Sequence, residues 1–186
     1  YYQNILTVQD MNYFLKRNDI RYPTIRLVKD GSELPLEDYS KNITLGRYIS
    51  EGLINNDKLF HFLNEGATVL FQLVHNSVPS LSKFANSLEK YFNFRVHTNV
   101  YITPQNSQGF TPHYDPHSVF ILQIAGSKKW RLYDSKFKLP MSDQMFDRRT
   151  WERTEPIEEH LLEAGDLLYI PRGIIHDAVT SDCIST

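Results

Sequence analysis

The change of hydrophobic period near residue 95 constrains the fold of this chain more than any other feature. Beyond that point, apolar residues recur at every second position, which is typical of strands with one buried face. Four segments share this pattern: RVHTNVYIT, SVFILQI, KKWRLYD and DLLYIPR. Turn-forming residues separate them, such as Gly126-Ser127 and Gly165-Asp166. We expect the charged stretch 135–160 to be a surface loop or insertion.

The first half of the sequence favours helices mixed with a few strands. TVQDMNYFLKRN has Thr7 as an N-cap, NNDKLFHFLNEG predicts a short helix, and VPSLSKFANSLEKYF predicts an amphipathic helix. The expected core stripe of this last helix is Leu81, Phe84, Leu88 and Phe92. TIRLV and ATVLFQL predict strands. The fold class is therefore mixed α+β with a mainly β core, an antiparallel sandwich or small barrel with N-terminal helices packed outside.

Length and composition limit the protein class. The 186 residues are enough for one domain with a sizeable core, and 41% hydrophobic residues exclude a disordered chain. The net charge of −2 gives no reason to expect direct nucleic-acid binding, and no apolar run reaches the roughly 18 residues of a membrane span. The single cysteine, Cys183, excludes a disulfide framework and suits a reducing compartment. We expect a protein without membrane contact, in the cytoplasm or, in a eukaryote, the nucleus.

His113 and Asp115 form the first half of a candidate metal site. Side chains alternate along an extended segment, so these two share one face and their Cα atoms lie roughly 6.6 Å apart. Taken alone, an H-x-D pattern is better explained by a structural His-Asp pair. His117 lies roughly 13 Å from His113 along an extended strand, too far to share an ion. The remaining histidines lack ligand-like spacing and favour packing or surface roles: His61, His75, His97 and His160.

GDLLYIPRGIIH supplies the second half of that site. Pro171 ends the hydrogen bonding of an apolar strand, and Gly173 permits a positive-φ bend that would return His176 over the end of the barrel. Two histidines and one carboxylate match the facial triad that leaves open positions on Fe(II).

Lys128 lies on the inward face of its strand. Trp130 and Leu132 share that face by alternation, and an unpaired buried ammonium is costly. Either the lysine snorkels to solvent, or it pairs with a ligand carboxylate. On the strand before the His-Asp motif, Asn99 and Tyr101 share a side and could orient an oxygen-rich ligand. A half-exposed strand face explains those two residues equally well.

Two long stretches carry a resemblance to a known family. NVYITPQNSQGFTPHYDPHSVFILQIAGSKKWRLYD and EAGDLLYIPRGIIHDA resemble the cupin-like JmjC oxygenases, especially the ribosomal oxygenase branch. The resemblance is strong over residues 97–180 and weaker through the N-terminal half. It implies a double-stranded β-helix (cupin, or jelly-roll) core at 95–186 with a helix and strand part at 1–94, together one domain.

The resemblance also implies cofactors and residue roles. His113, Asp115 and His176 would bind Fe(II). Lys128 and Tyr101 would hold the distal carboxylate of the cosubstrate 2-oxoglutarate, and Asn99 would line its pocket, with O2 as the second cosubstrate. Three apolar side chains are expected to shield the oxidant: Phe120, Leu122 and Trp130.

Three functions follow as alternatives. The first is a protein hydroxylase whose substrate is a ribosomal or other protein. The second is a JmjC N-methyl-lysine demethylase, in which Tyr114 and residues 135–160 would shape a methylammonium pocket. The third is a non-catalytic cupin-like binding domain. In the family the chain continues past CIST into another core strand, a dimerisation region and a winged-helix domain. The resemblance therefore implies a core truncated at its C-terminus, and a homodimer formed through a region outside this chain.

Overall fold

The computed structural model describes residues 4–135, 137–180 and 183–186. Its described part contains four α-helices: α1 (Val8–Lys16), α2 (Leu36–Tyr39), α3 (Asn56–Asn64) and α4 (Pro79–Phe92). The sequence predicted α1, α3 and α4, whereas α2 is a single turn without a detectable period. In the described residues, no helix is both long and apolar enough to cross a membrane.

Strands make up most of the remaining regular structure. In chain order they are β1 (Ile25–Lys29), β2 (Ser32–Glu33), β3 (Ser40–Leu45), β4 (Tyr48–Ile54), β5 (Thr68–Phe71), β6 (Val100–Ile102), β7 (Val119–Leu122), β8 (Ser127–Tyr133), β9 (Glu158–Glu163), β10 (Leu167–Ile170) and β11 (Ile175–Thr180). They form four antiparallel sheets in the orders β2-β1-β5-β6, β10-β7, β11-β8-β9 and β3-β4.

The N-terminal helices pack on the β2-β1-β5-β6 sheet. Thr7 caps α1 through a reciprocal capping box with Asp10, as the sequence indicated. The main core joins apolar residues of α1, α3 and α4 to strands β1, β5 and β6. Leu81 of α4 belongs to this core, but Phe92 is 48% exposed, so the predicted core stripe is wrong at the end of the helix.

Three predictions about strands need correction. Of RVHTNVYIT only Val100–Ile102 is a strand, because residues before it bond to the turn at 73–75 instead of to a neighbouring strand. The loop prediction for residues 135 to about 160 did not include strand β9, which begins at Glu158. The β3-β4 hairpin was missed because β3 is mostly exposed and lacks an apolar period.

The β11-β8-β9 sheet positions the candidate site. On its inner face, His176 lies opposite Leu132, and Thr180 lies opposite Lys128. The segment that carries the His-Asp motif joins the β11 edge through an antiparallel bridge between His113 and His176. The strands of this sheet and of the β10-β7 pair are interleaved along the second half of the chain. Together with the N-terminal helices, they confirm a mixed α+β fold with a mainly β core.

Candidate metal centre

His113, Asp115 and His176 converge in the structure. One ligand-type atom from each residue lies within 4.8 Å of the others, and His176 Nε2 is 3.8 Å from Asp115 Oδ2. Backbone pairing sets this arrangement, because the His113 N–H donates to the His176 carbonyl at 3.1 Å and the His176 N–H donates back at 2.8 Å. The Gly173 N–H donates to the Asp115 carbonyl at 3.0 Å and fixes the third member.

Both imidazoles are held with Nε2 directed to the space between His113, Asp115 and His176. His113 Nδ1 lies 2.8 Å from the Thr111 carbonyl, and His176 Nδ1 lies 2.9 Å from the Ile174 carbonyl. Because a carbonyl oxygen only accepts, each Nδ1 carries the proton and each Nε2 keeps a free lone pair. Burial, and then the neighbouring His113, lower the pKa of His176, so it stays neutral as a metal ligand requires.

Gly173 is required at the bend before β11. Its φ is +87°, and an added Cβ would lie 2.5 Å from Pro140 Cδ and 2.7 Å from the Phe137 carbonyl oxygen. A side chain would therefore meet both an unfavourable backbone conformation and a steric clash. The predicted positive-φ bend is present, and it brings the backbone of His176 against that of His113.

Lys128 is buried on the same face of the sheet as His176. The residue is only 7% exposed, so it does not snorkel to solvent, and Nζ donates to Thr103 Oγ1 at 3.1 Å. Thr103 Oγ1 also accepts from Thr68 Oγ1 at 3.2 Å. Burial lowers the pKa of Lys128 from 10.5 to about 8. Among the described residues, no carboxylate forms a salt bridge with this ammonium.

Tyr101 points away from the main core, on the side of the His-Asp-His cluster. Its neighbours Val100 and Ile102 are buried in that core, so alternation places the phenol on the opposite face. The ring lies 6.2 Å from that of Phe110, which lies 5.6 Å from the His113 ring. Tyr101 is 38% exposed, but the atoms crowded around its hydroxyl, and then the Asp115 carboxylate, raise its pKa.

Asn99 has a structural partner. Its Oδ1 accepts from the Leu73 N–H at 3.2 Å, and Leu73 adopts a left-handed conformation with φ of 53°. The side chain therefore stabilises a strained turn beside the site. Thr103 continues the alternation Asn99, Tyr101 and was missed by the sequence analysis, although this same period of two could have found it.

The other histidines lie outside the cluster. His117 is exposed and does not join the three ligand-type residues. His160 Nε2 lies 2.9 Å from Glu158 Oε2, and His61 Nε2 lies 3.5 Å from Glu65 Oε1.

Tyr114 faces away from the three ligand-type side chains. Its hydroxyl donates to the Gln144 carbonyl at 3.2 Å, and its ring packs edge-on against Phe146 at 5.2 Å. A cavity of about 300 Å³ lies beside these rings, lined also by Trp151 and Ile175. Tyr114 therefore belongs to a small outer aromatic cluster and does not line a pocket beside the three ligand-type side chains.

Of the side chains expected to shield the oxidant, Trp130 lies beside the candidate site but Phe120 does not. The Trp130 ring lies 5.9 Å from the His176 ring, next to the site. Phe120 is 44% exposed and stacks on Phe92 of α4 with 5.9 Å between ring centroids, so it packs toward the helix.

Comparison with known protein families gives a clear match. The JmjC domain profile matches residues 72–186. The Drosophila erecta protein named bifunctional lysine-specific demethylase and histidyl-hydroxylase NO66 is 33% identical over 97% of this chain and 26% of its own length. Mouse ribosomal oxygenase 2 is 34% identical over 97% of this chain and 36% of its own length. The chain thus spans roughly a third or less of these relatives.

Solved structures show the same fold. The Escherichia coli ribosomal oxygenase YcfD superposes with a TM-score of 0.64 at 19% identity, covering 97% of this chain and 42% of that chain. A YcfD structure in complex with cobalt and 2-oxoglutarate gives a TM-score of 0.61 at 19% identity, covering 97% and 42% respectively.

Proposed function

The chain belongs to the JmjC-domain family, and from this membership we propose that it is the catalytic core of an Fe(II)- and 2-oxoglutarate-dependent oxygenase that hydroxylates a protein side chain. One observation carries the proposal. A His-Asp-His cluster and the buried Lys128 face the same interior. Among the described residues, no carboxylate pairs with this lysine.

His113, Asp115 and His176 fit Fe(II) by their donor chemistry. Two neutral imidazoles and one carboxylate form the set that holds non-haem iron on one face and leaves the other positions open. The Thr111 and Ile174 carbonyls orient the rings, so the ligand geometry exists without the metal.

Lys128 and Tyr101 fit 2-oxoglutarate. Lys128 lies opposite Thr180, and the stretch of β11 from there to His176 spans roughly 13 Å. A long lysine side chain and a five-carbon diacid together cover such a span. A carboxylate at Nζ would offset the burial of the ammonium, and the Tyr101 hydroxyl would donate to the same carboxylate.

The protein's own residues bind and orient the cosubstrate, and they exclude water from the site. When bound, Fe(II) and 2-oxoglutarate would supply the oxidising chemistry: 2-oxoglutarate would lose CO2 and take one atom of O2 to become succinate, and the other oxygen atom would be inserted into a substrate C–H bond. Lys128 fixes the far end of the cosubstrate, so its keto-acid end is directed toward the three ligands. Trp130 covers the site beside His176 and limits the access of water.

The relatives guide the choice of substrate. Their names include histidyl-hydroxylase, lysine-specific demethylase and ribosomal oxygenase. We propose a ribosomal protein as substrate of this chain, in the cytoplasm or nucleus. The orientation of Tyr114 away from the metal ligands favours hydroxylation over demethylation. We also propose a homodimer that forms through a region outside residues 1–186.

We further propose that residues 1–94 and 95–186 form one catalytic domain. The main core supports this arrangement, since it combines Phe71 and Leu59 from the first part with Val100 and Ile102 from the second.

Succinate formation tests the proposed function. The full chain should convert 2-oxoglutarate to succinate in an Fe(II)-dependent manner, and His113→Ala and Lys128→Ala should each abolish turnover. After gene deletion, mass spectrometry of cellular proteins should show a ribosomal protein that is lighter by one oxygen atom than in wild-type cells. No turnover by the full-length natural protein with candidate ribosomal peptides would contradict both enzymatic functions and support a binding domain. A gain of methyl groups after deletion would indicate a demethylase.

A further inference from the structure

We propose that Asp177 is a positioning residue for the metal site, and that Gln108 is its link to the segment carrying the first two ligands. The proposal rests on the function assigned above to His113, Asp115 and His176. It concerns the outer face of the β11-β8-β9 sheet, opposite to the face on which the ligands lie.

Asp177 is a buried carboxylate directly behind a ligand. Adjacent strand residues point to opposite faces, so Asp177 faces outward where His176 faces inward. Its side chain is 0% exposed. A buried charge of this kind is costly unless it is fully paired and hydrogen-bonded.

The pairing of this carboxylate is complete. Oδ1 accepts from Arg131 Nε at 2.7 Å and from the Tyr133 hydroxyl at 3.3 Å. Oδ2 accepts from Arg131 Nη2 at 2.6 Å and from Gln108 Nε2 at 3.1 Å. An ionised carboxylate offers about four acceptor positions, and this one has four donors.

Those donors come from separate parts of the chain. Arg131 and Tyr133 lie on β8, the strand that also carries Lys128. Gln108 lies in the loop that leads to the His-Asp motif, where its Nε2 also donates to the Phe110 carbonyl at 3.1 Å. Arg153, from the segment before β9, reaches within 3.7 Å of Oδ2.

The network therefore fixes the ligand-bearing segments relative to each other. His176 directly precedes Asp177 on β11, and the loop held by Gln108 continues through Phe110 to His113. Supporting contacts of this kind set how precisely the metal-ligating residues are held. Their loss typically weakens metal affinity by roughly ten- to a hundredfold.

Cobalt binding to the full chain tests the proposal without turnover. Gln108→Met keeps the side-chain volume but removes the amide, and Asp177→Asn places an amide against the Arg131 and Gln108 donors. Each variant should bind Co(II) roughly ten- to a hundredfold more weakly, with a changed Co(II) d–d absorption spectrum. Asp19→Asn is the control, because it removes the exposed Arg17–Asp19 pair in the N-terminal part of the chain and should leave the Co(II) affinity and the spectrum unchanged.

The outcomes separate this proposal from the proposed function. If the wild type binds no Co(II), the metal site itself is contradicted. If the wild type binds and Gln108→Met binds with the same affinity and spectrum, Asp177 and Gln108 have no positioning role. If Asp177→Asn does not fold, Gln108→Met alone decides, with its thermal unfolding midpoint showing that the fold is retained.

Discussion

The ammonium of Lys128 and the hydroxyl of Thr103 lie 3.1 Å apart inside the β core, and both residues are buried. An ammonium carries three donors, and Thr103 accepts one of them. No carboxylate in the described part of the chain pairs with Lys128, and burial lowers its pKa to about 8, so the protein retains a cation at a real energetic cost. This cost is explained if an anionic ligand completes the site.

Lys128→Met should abolish high-affinity binding of 2-oxoglutarate. The substitution keeps a long side chain but removes the charge, and loss of one partner of a buried ion pair costs about 3 kcal/mol, or more than a hundredfold in Kd. Calorimetric titration of the Co(II)-loaded protein measures this change. In the ligand-free protein the same variant should raise the free energy of unfolding, because it removes an incompletely paired buried cation; an unchanged Kd would exclude Lys128 from the cosubstrate site.

Binding of 2-oxoglutarate should weaken as the pH rises above about 8, the pKa of ligand-free Lys128. Only the protonated lysine pairs with a carboxylate, so the Kd should increase roughly tenfold per pH unit above that value. The Lys128→Met variant should show no such dependence. A flat pH profile in the wild type would contradict the pairing.

The stability of the ligand-free protein should change with pH in the opposite direction. Because the folded-state pKa of Lys128 is lowered from 10.5 to about 8, the unfolded chain binds more protons between these values. The free energy of unfolding contributed by this group therefore rises with pH across that window, by up to about 3 kcal/mol. Urea denaturation of wild type and Lys128→Met at pH 7.5 and pH 9.5 isolates the contribution as the difference between the two proteins.

Metal binding should require His113 but not His117. His113→Ala removes one of three converging ligand-type groups and should weaken Co(II) affinity by more than a hundredfold, since two ligands hold a divalent ion poorly. His117→Ala is the matched control, because this exposed histidine lies two residues beyond Asp115 and outside the cluster. Equal losses in both variants would contradict the ligand assignment.

The candidate site could be predicted from sequence where local geometry decides it. Strand alternation places His113 and Asp115 on one face, and Pro171 with Gly173 marks the bend that returns His176. The same alternation next to Trp130 predicts that Lys128 points inward. These inferences use spacings of two to five residues, which the backbone enforces without knowledge of the tertiary fold.

Other features depend on contacts between distant residues. Asp177 meets Gln108 across 69 positions and Arg131 across 46, and no local period signals either pair. The β3-β4 hairpin is largely exposed, so hydrophobic burial leaves no pattern in its sequence. Asn99 could be placed near the site, but its bond to the Leu73 N–H depends on a turn that the sequence does not mark.

Tyr101 and Asn99 should differ in their effect on 2-oxoglutarate binding. Tyr101→Phe removes a hydroxyl on the site face and should weaken binding roughly tenfold, the usual value of one charge-assisted hydrogen bond. The Asn99 side-chain oxygen already accepts from the Leu73 N–H, so Asn99→Ala should mainly loosen the turn at Leu73. Hydrogen exchange at the Leu73 amide should accelerate in Asn99→Ala and stay unchanged in Tyr101→Phe, while titration with 2-oxoglutarate should show the larger loss in Tyr101→Phe. The reverse order of affinities would assign the cosubstrate contact to Asn99 and leave Tyr101 as part of the wall beside Phe110.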